Sequence, residues 1–352
     1  MSARVLVTGG AGFIGSHIVD ALIDSGREVV VLDSLLTSVH ESVPSYLNDK
    51  AIYVWADLRE PGTLDGLLED VEAVVHQAGV VGLERSFAEV VTYVSNNDVG
   101  TAQLLRALHA ANWRGPLILA SSMVVYGEGS YSCEQHGFVR PNPRTADRLK
   151  AGQFEACCPR CGRDLTPSAV DESAPLDPRS VYAATKVHQE HLIAAFGRAH
   201  DVPVTKLRYH NVYGPRMPRN TSYAGVASIF MNALKGGATP EVFEDGGQLR
   251  DFVHVTDIAA ANLAALDAAA DGEFNIATGR PRSVLDMATA MAETIDPSLS
   301  PRITGSFRAG DVRHVFASPE RARTVLGWSA EVSFSDGMKE LAEEIATASA
   351  PS

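Results

Sequence analysis

Apolar residues fall in short unbroken blocks rather than alternating with polar ones: Val5-Leu6-Val7, Val29-Val30-Val31-Leu32, Ile52-Tyr53-Val54-Trp55, Ala73-Val74-Val75-His76, Leu117-Ile118-Leu119-Ala120 and Val204 to Tyr209. Blocks of this length predict strands buried on both faces, as in a parallel sheet. Between them the period changes. Ile14, Ile18, Ala21 and Leu22 share one face of a helix predicted over Phe13 to Ser25, and Val187, Leu192, Ile193 and Phe196 do the same after a helix start at Pro178 and Ser180. Further helices are predicted over Asp257 to Ala270, Leu285 to Ile295 and Ser335 to Thr347, with a pocket loop at Pro215-Arg216-Met217-Pro218 and a mobile tail at Ala348 to Ser352.

The first block runs straight into Thr8-Gly9-Gly10-Ala11-Gly12-Phe13-Ile14-Gly15. A strand that turns at once into a helix leaves unpaired N–H groups above the helix N-terminus, and an anion suits them. Gly9 can take the tight turn, Gly12 lets a pyrophosphate approach the backbone, and Gly15 lets the helix pack on the strand. The second block ends at Asp33, a carboxylate suited to the adenosine ribose hydroxyls and repulsive to a 2′-phosphate, so NAD is favoured over NADP. The third ends at Asp57, and the fourth runs to Ala78-Gly79. This predicts an α/β fold: a doubly wound parallel-sheet Rossmann domain followed by a smaller C-terminal α/β substrate domain.

Composition narrows the partners. With 352 residues, 45% of them hydrophobic, about two domains with a full core are expected. A formal charge of −13 argues against a phosphate-backbone site, so no nucleic acid is expected. No apolar run approaches the roughly 18 residues of a membrane span. Because the first strand begins by about Arg4, no targeting segment is expected and a cytoplasmic location is.

Ser121-Ser122 closes the Leu117 block at the sheet edge where doubly wound folds bind ligands. Tyr182 and Lys186, four residues apart, share a helical face. An ammonium beside a phenol favours the phenolate, so the Tyr182 pKa is expected to fall from about 10 toward neutrality, making it a usable base. Ser122 can hydrogen-bond the same substrate oxygen.

Together with Asp57-Leu58, His76 to Gly79, Asn96-Asn97, Tyr126-Gly127, Arg208 to Gly214, Arg250 to Val253, and Gly310-Asp311 to Trp328, these motifs resemble the extended short-chain dehydrogenase/reductases, specifically the NAD-dependent nucleotide-sugar epimerases and dehydratases. The resemblance implies that Tyr182 is the acid/base, that Lys186 binds the nicotinamide ribose and that Ser122 orients the reacting oxygen. It places Gly9, Gly12, Phe13, Ile14, Gly15, Asp33, Asp57, Leu58, Ala78, Gly79 and Asn97 beside the cofactor. Asn211, Arg250, Arg308 and Asp311 would bind the nucleotide diphosphate sugar, arginine being well suited to phosphate. Tyr223 to Phe230 and Phe243 to Gln248 resemble segments walling that pocket. A homodimer through helices near Val99 to Ala111 and Val181 to Ala199 is implied, though their apolar faces equally fit an internal core.

Dehydratases of this family carry an Asp-Glu pair after the position of Ser122; here Met123 and Val124 stand there, and neither transfers a proton. Dehydration and decarboxylation are therefore disfavoured, and 4-epimerisation remains, in the manner of deoxythymidine-diphosphate L-rhamnose or UDP-sugar 4-epimerases. Two alternatives stay open: a reductase of a 4-keto nucleotide sugar, and a non-catalytic NAD-sensing scaffold.

Ser122 and Tyr182 lie about 35 residues further apart than in the family. The surplus, residues 130–169, carries all four cysteines. Cys133-x-x-His136 and Cys158-x-x-Cys161 read as two knuckles offering four ligands to a structural zinc, with Cys157 an alternative to Cys158 and free thiols on a lid the other reading. Residues 1–175 are expected to form the NAD-binding domain, with 204–214 and 250–272 returning to it, and 176–352 mainly the nucleotide-sugar domain.

Overall fold

A computed structural model describes residues 4–82, 87–218, 225–308 and 310–348. Strands β1 (Arg4–Thr8), β2 (Glu28–Asp33), β3 (Ile52–Trp55), β4 (Val71–His76) and β5 (Leu117–Ser122) stand where the apolar blocks predict them. With Val204–Tyr209 and Gly272–Ile276 they form a seven-stranded sheet among the described residues, in the order Gly272–Ile276, Val204–Tyr209, β5, β4, β1, β2, β3. Every pairing in it is parallel.

The unbroken apolar runs are explained by what covers each face. Val5, Val7, Val29 and Val31 pack with Ile18 and Leu22 of helix α1 (Phe13–Asp24) and with Ile258, Ala261 and Ala265 of the Val255–Ala268 helix. Leu6, Val30 and Leu32 pack on the other side with Leu104 and Leu108 of the Gly100–Ala110 helix and with Ile193 and Phe196 of the Val181–His200 helix. Alternate residues of one strand thus serve opposite helical layers.

Winding reverses between β1 and β4, which opens a crevice at their C-terminal ends. There the Gln77 N–H bonds the Thr8 carbonyl at 3.0 Å. Gly9 makes its turn at φ +72°, and a Cβ on Gly15 would stand 2.1 Å from the Gly9 carbonyl oxygen. The start of α1 is thereby pressed onto the end of β1.

One strand of the sheet, Gly272–Ile276, carries no block in the sequence reading. Glu273 pairs with Lys206 and the Asn275 side chain bonds Tyr126 and the Val170 carbonyl, so two of its five positions are polar and satisfied by distant groups. The predicted helices hold to within about two residues: Val255–Ala268, Val284–Ile295 and Phe334–Ala348. Residues 349–352, most of the expected tail, lie outside the described residues.

A second core gathers Met217, Phe230, Met231, Met287, Met291 and Met338 around the Val226–Lys235, Val284–Ile295 and Phe334–Ala348 helices. The surplus segment folds as a three-stranded antiparallel sheet of Ser130–Cys133, Gly137–Val139 and Thr166–Ser168 with its own small core of Tyr131, Cys133, Val139, Ala156, Cys158 and Leu165.

Gly15→Ala should cost about 2 kcal/mol or more, because the methyl meets backbone that cannot give way. Gly12→Ala, whose added carbon meets its nearest atom at 3.4 Å, should be much milder. Denaturant unfolding of the two variants checks the ordering, and equal losses would contradict it.

Candidate active site

The sheet edge, α1 and the second core enclose a cavity of about 980 Å³. Gly9, Gly12, Phe13, Ile14, Gly15, Asp33, Asp57, Leu58, Ala78 and Gly79 line one half of it. The α1 N-terminus carries no side-chain cap, its N-cap residue being Gly12. Its first N–H groups therefore suit an anion placed in the cavity. Asp33 accepts the Ala11 N–H at 3.0 Å and the Leu35 N–H at 2.9 Å, which fixes its carboxylate at the cavity wall. Arg59 binds both Asp57 oxygens and holds that carboxyl below its usual range; Arg59 also lines the cavity, and nothing in the motif spacing singled it out.

Asn97 does not line the cavity, whereas its neighbour Asn96 does. Fully buried behind the wall, Asn97 accepts the Val80 N–H at 2.7 Å, donates to the Val80 carbonyl at 3.1 Å and reaches the Thr185 hydroxyl at 2.9 Å. It ties the segment after β4 to the Val181–His200 helix. A π-helical turn, Val94–Val99, carries both asparagines.

Ser122, Tyr182 and Lys186 meet at the middle of the cavity. The Ser180 hydroxyl accepts the Ala183 N–H at 3.1 Å and so caps the helix that begins at Val181. Its first turn then brings the Tyr182 hydroxyl beside Ser122 at the end of β5. One turn on, the Lys186 ammonium donates to the Ala120 carbonyl at 2.8 Å.

The expected acidification of Tyr182 is not found. Burial pushes its phenol well above the ordinary value, opposed only in part by Ser122. Lys186 stands 5.9 Å from the ring centroid and is tied to Ala120, and burial pulls its own pKa down to about 8. Desolvation outweighs the attraction that the spacing suggested.

Asn211, Arg250, Arg308 and Asp311 line the other half. Arg250 is half-buried and donates to the carbonyls of Leu249, Val312 and Arg313 at 2.8 to 2.9 Å, so it staples two loops as well as facing the cavity. The Arg308 guanidinium lies 5.2 Å from the Phe243 ring centroid. From the predicted wall segments, Val226, Ile229, Phe230, Phe243 and Gln248 are in place, while Tyr223 and Ala224 lie outside the described residues. Met123 and Val124 also face the cavity beside Ser122.

His210 was not singled out by the sequence. It lines the cavity with both ring nitrogens buried and unbonded among the described residues, as is the Asn211 side-chain oxygen. Burial holds the imidazole neutral, with a pKa of about 3. A neutral ring offers one donor and one acceptor to a bound hydroxylated ligand.

Away from the cavity, the four knuckle residues converge. Cys133 Sγ is 3.4 Å from His136 Nδ1 and 3.7 Å from Cys161 Sγ, and Cys158 Sγ is 3.5 Å from the same imidazole nitrogen. All four ligand atoms lie within 4.8 Å of one another. Tetrahedral zinc with Zn–S bonds of about 2.3 Å sets its sulfurs about 3.8 Å apart, so the set fits that ion. Cys157 turns away, toward the Glu155 carbonyl and Asp164, which leaves Cys158 as the ligand of that pair.

Comparison with known proteins decides the family. Residues 5–146 match the profile of the NAD dependent epimerase/dehydratase family, and residues 163–341 match that of GDP-mannose 4,6 dehydratase. The dTDP-L-rhamnose 4-epimerase of Burkholderia thailandensis is 36% identical over 97% of this chain and 95% of its own. The chain belongs to the NAD-dependent epimerase/dehydratase family. Within it, the chain is an enzyme of the nucleotide-sugar 4-epimerase group: a UDP-glucose 4-epimerase of Mycolicibacterium smegmatis is 33% identical over 97% of both chains. The Thermus thermophilus UDP-glucose 4-epimerase, solved with NAD, superposes with a TM-score of 0.79 at 29% identity over 98% of this chain and 99% of that one. A Bacillus cereus UDP-glucuronic acid 4-epimerase, solved with UDP-glucuronic acid and NAD, gives 0.79 at 28% identity over 98% and 99%.

The depressed Lys186 pKa carries a signed consequence. Between about pH 8 and the unfolded lysine value near 10.5 the unfolded chain binds more protons than the folded one, so wild-type stability gains relative to Lys186→Met as pH rises. The gain should approach about 3 kcal/mol. Urea unfolding of both proteins at pH 7.5 and 10 measures it, and a pH-independent difference would contradict the burial argument.

Proposed function

We propose that this epimerase inverts C4 of a nucleotide diphosphate sugar through a 4-keto intermediate, with a deoxythymidine-diphosphate L-rhamnose as the favoured substrate. The observation that carries this reading is the Ser122–Tyr182 pair at the junction of the two cavity halves, with Met123 and Val124 where elimination of water would need an acid and a base. The choice of sugar rests on the Burkholderia relative.

In this reading Gly9, Gly12, Phe13, Ile14, Gly15, Asp33, Asp57, Leu58, Ala78 and Gly79 hold the dinucleotide, with Asn97 supporting the wall behind it. NAD, when bound, would supply a reversible hydride acceptor. To take the proton of the C4 hydroxyl Tyr182 must first be the phenolate, which the positive charge of a bound NAD and the Lys186 ammonium would favour against its burial; it would return that proton when C4 is reduced again. Ser122 holds the C4 oxygen, and Lys186, anchored on Ala120, binds the nicotinamide ribose. Asn211, Arg250, Arg308 and Asp311 grip the nucleotide diphosphate while His210 bonds a sugar hydroxyl.

The Cys133, His136, Cys158 and Cys161 set holds a structural zinc, and thiolate ligands suit a reducing cytoplasm. Among the described residues no helix is long and apolar enough to cross a membrane. Residues 1–175 with the returning segments serve as the NAD-binding domain and 176–352 mainly as the sugar-binding one. Val91, Val94 and Val99 are exposed beside the Gly100–Ala110 helix and supply an apolar face for a homodimer.

Incubated with a panel of dTDP- and UDP-sugars, the enzyme should exchange C4 epimers with no net NADH. Tyr182→Phe should lower kcat by about 10²- to 10⁴-fold while retaining copurified NAD. Stoichiometric NADH, or an active Tyr182→Phe enzyme, would contradict the mechanism.

A further inference from the structure

The inserted unit is joined to the nucleotide half of the cavity by an ion-pair network that is buried at Arg144, Glu244 and Arg313 and half-exposed at Glu155 and Asp245. Arg144, which lies between the two knuckles in sequence, donates to both Glu244 oxygens at 2.8 Å and to the Asp311 carbonyl at 2.8 Å. Glu155, three residues before Cys158, accepts from Arg313 Nη2 at 2.6 Å and pairs with His314 Nε2 at 2.9 Å. Arg313 in turn binds Glu244 at 2.9 Å and Asp245 at 2.8 Å. The side chains of Arg144, Glu244 and Arg313 are 3%, 2% and 2% exposed.

The partners of Arg144 and Glu155 belong to two loops that also present Phe243, Arg308 and Asp311 to the cavity. Buried charges of this kind tolerate no missing member: removing one leaves another desolvated and unpaired, and the loops carrying it must move to reach water. The position of the network therefore sets the position of the loops. The inserted unit is small, with a core of six buried residues, and a closed metal site is what fixes such a unit in shape.

We propose that the metal-bound Cys3His knuckle is a brace for the nucleotide-diphosphate half of the cavity, with Arg144 and Glu155 as positioning residues acting through Glu244, Arg313 and His314. The proposal rests on the reading of that half as a nucleotide-diphosphate site and of the knuckle as a zinc site. It separates the roles of the two halves: the metal controls the grip on the nucleotide and leaves the dinucleotide end, built on α1 and β1 to β4, untouched.

The test uses full-length protein and reads metal by elemental analysis, bound NAD by absorbance after denaturation, and Kd for dTDP and UDP by calorimetry. Wild type is expected to carry one zinc and to bind one of the diphosphates. Arg144→Gln should keep zinc and NAD yet weaken that Kd at least tenfold, and the KM of any turned-over sugar should rise alike while kcat stays within about threefold. Cys161→Ser should lose zinc, keep NAD and weaken the Kd by a similar factor. Unchanged nucleotide affinity in either variant, loss of NAD in step with nucleotide, or wild type that neither carries nor takes up zinc would overturn the brace. Failure of wild type to bind either diphosphate would instead overturn the nucleotide reading beneath it.

Discussion

The bond from the Lys186 ammonium to the Ala120 carbonyl, 2.8 Å long and buried, ties the Val181–His200 helix to the end of β5. Every side chain that meets at the centre of the cavity is placed relative to it. It fixes how far along the sheet edge the helix begins, and so brings Tyr182 level with Ser122 one turn earlier. Around it stand Asn97, which reaches Thr185 from behind, and Glu190, which accepts from Ser121 and pairs with Arg208 at 2.8 Å. A buried ammonium is costly to hold, and its pKa of about 8 records that cost. A network of satisfied partners on one helix face is what makes the cost tolerable and the geometry single-valued.

A phenol that burial keeps protonated cannot itself accept a proton, so its use as a base in the proposed reaction requires a cation beside it that favours the phenolate. Met123 and Val124 extend the apolar wall beside the pair and give no second proton route. The proposed epimerisation needs one exchangeable proton rather than two.

Local chemistry in the chain revealed much of this. Buried parallel strands are continuous apolar runs, the glycine turn needs residues without side chains, and the i, i+4 pair is helical by spacing, so β1 to β5, Gly9 to Gly15, and Tyr182 with Lys186 were all legible. The knuckles were legible because cysteine and histidine spacing is itself geometry. What escaped depends on groups far apart in the chain. Gly272–Ile276 hides its strand character because Glu273 and Asn275 find partners at Lys206 and Tyr126. Asn97 reads as a cofactor neighbour until Val80 and Thr185 are seen to occupy its amide. His210 becomes informative only through the lack of partners for its nitrogens among the described residues, and the Tyr182 shift only through burial.

The central claim, that hydride leaves and re-enters C4 of the sugar within a closed site beside Tyr182, is tested most directly with a nucleotide sugar deuterated at C4. Mass spectrometry and NMR of the equilibrated epimers should find the deuterium still at C4 in both, with none released to water. Washout of the label into solvent, or its appearance at another carbon, would contradict the account.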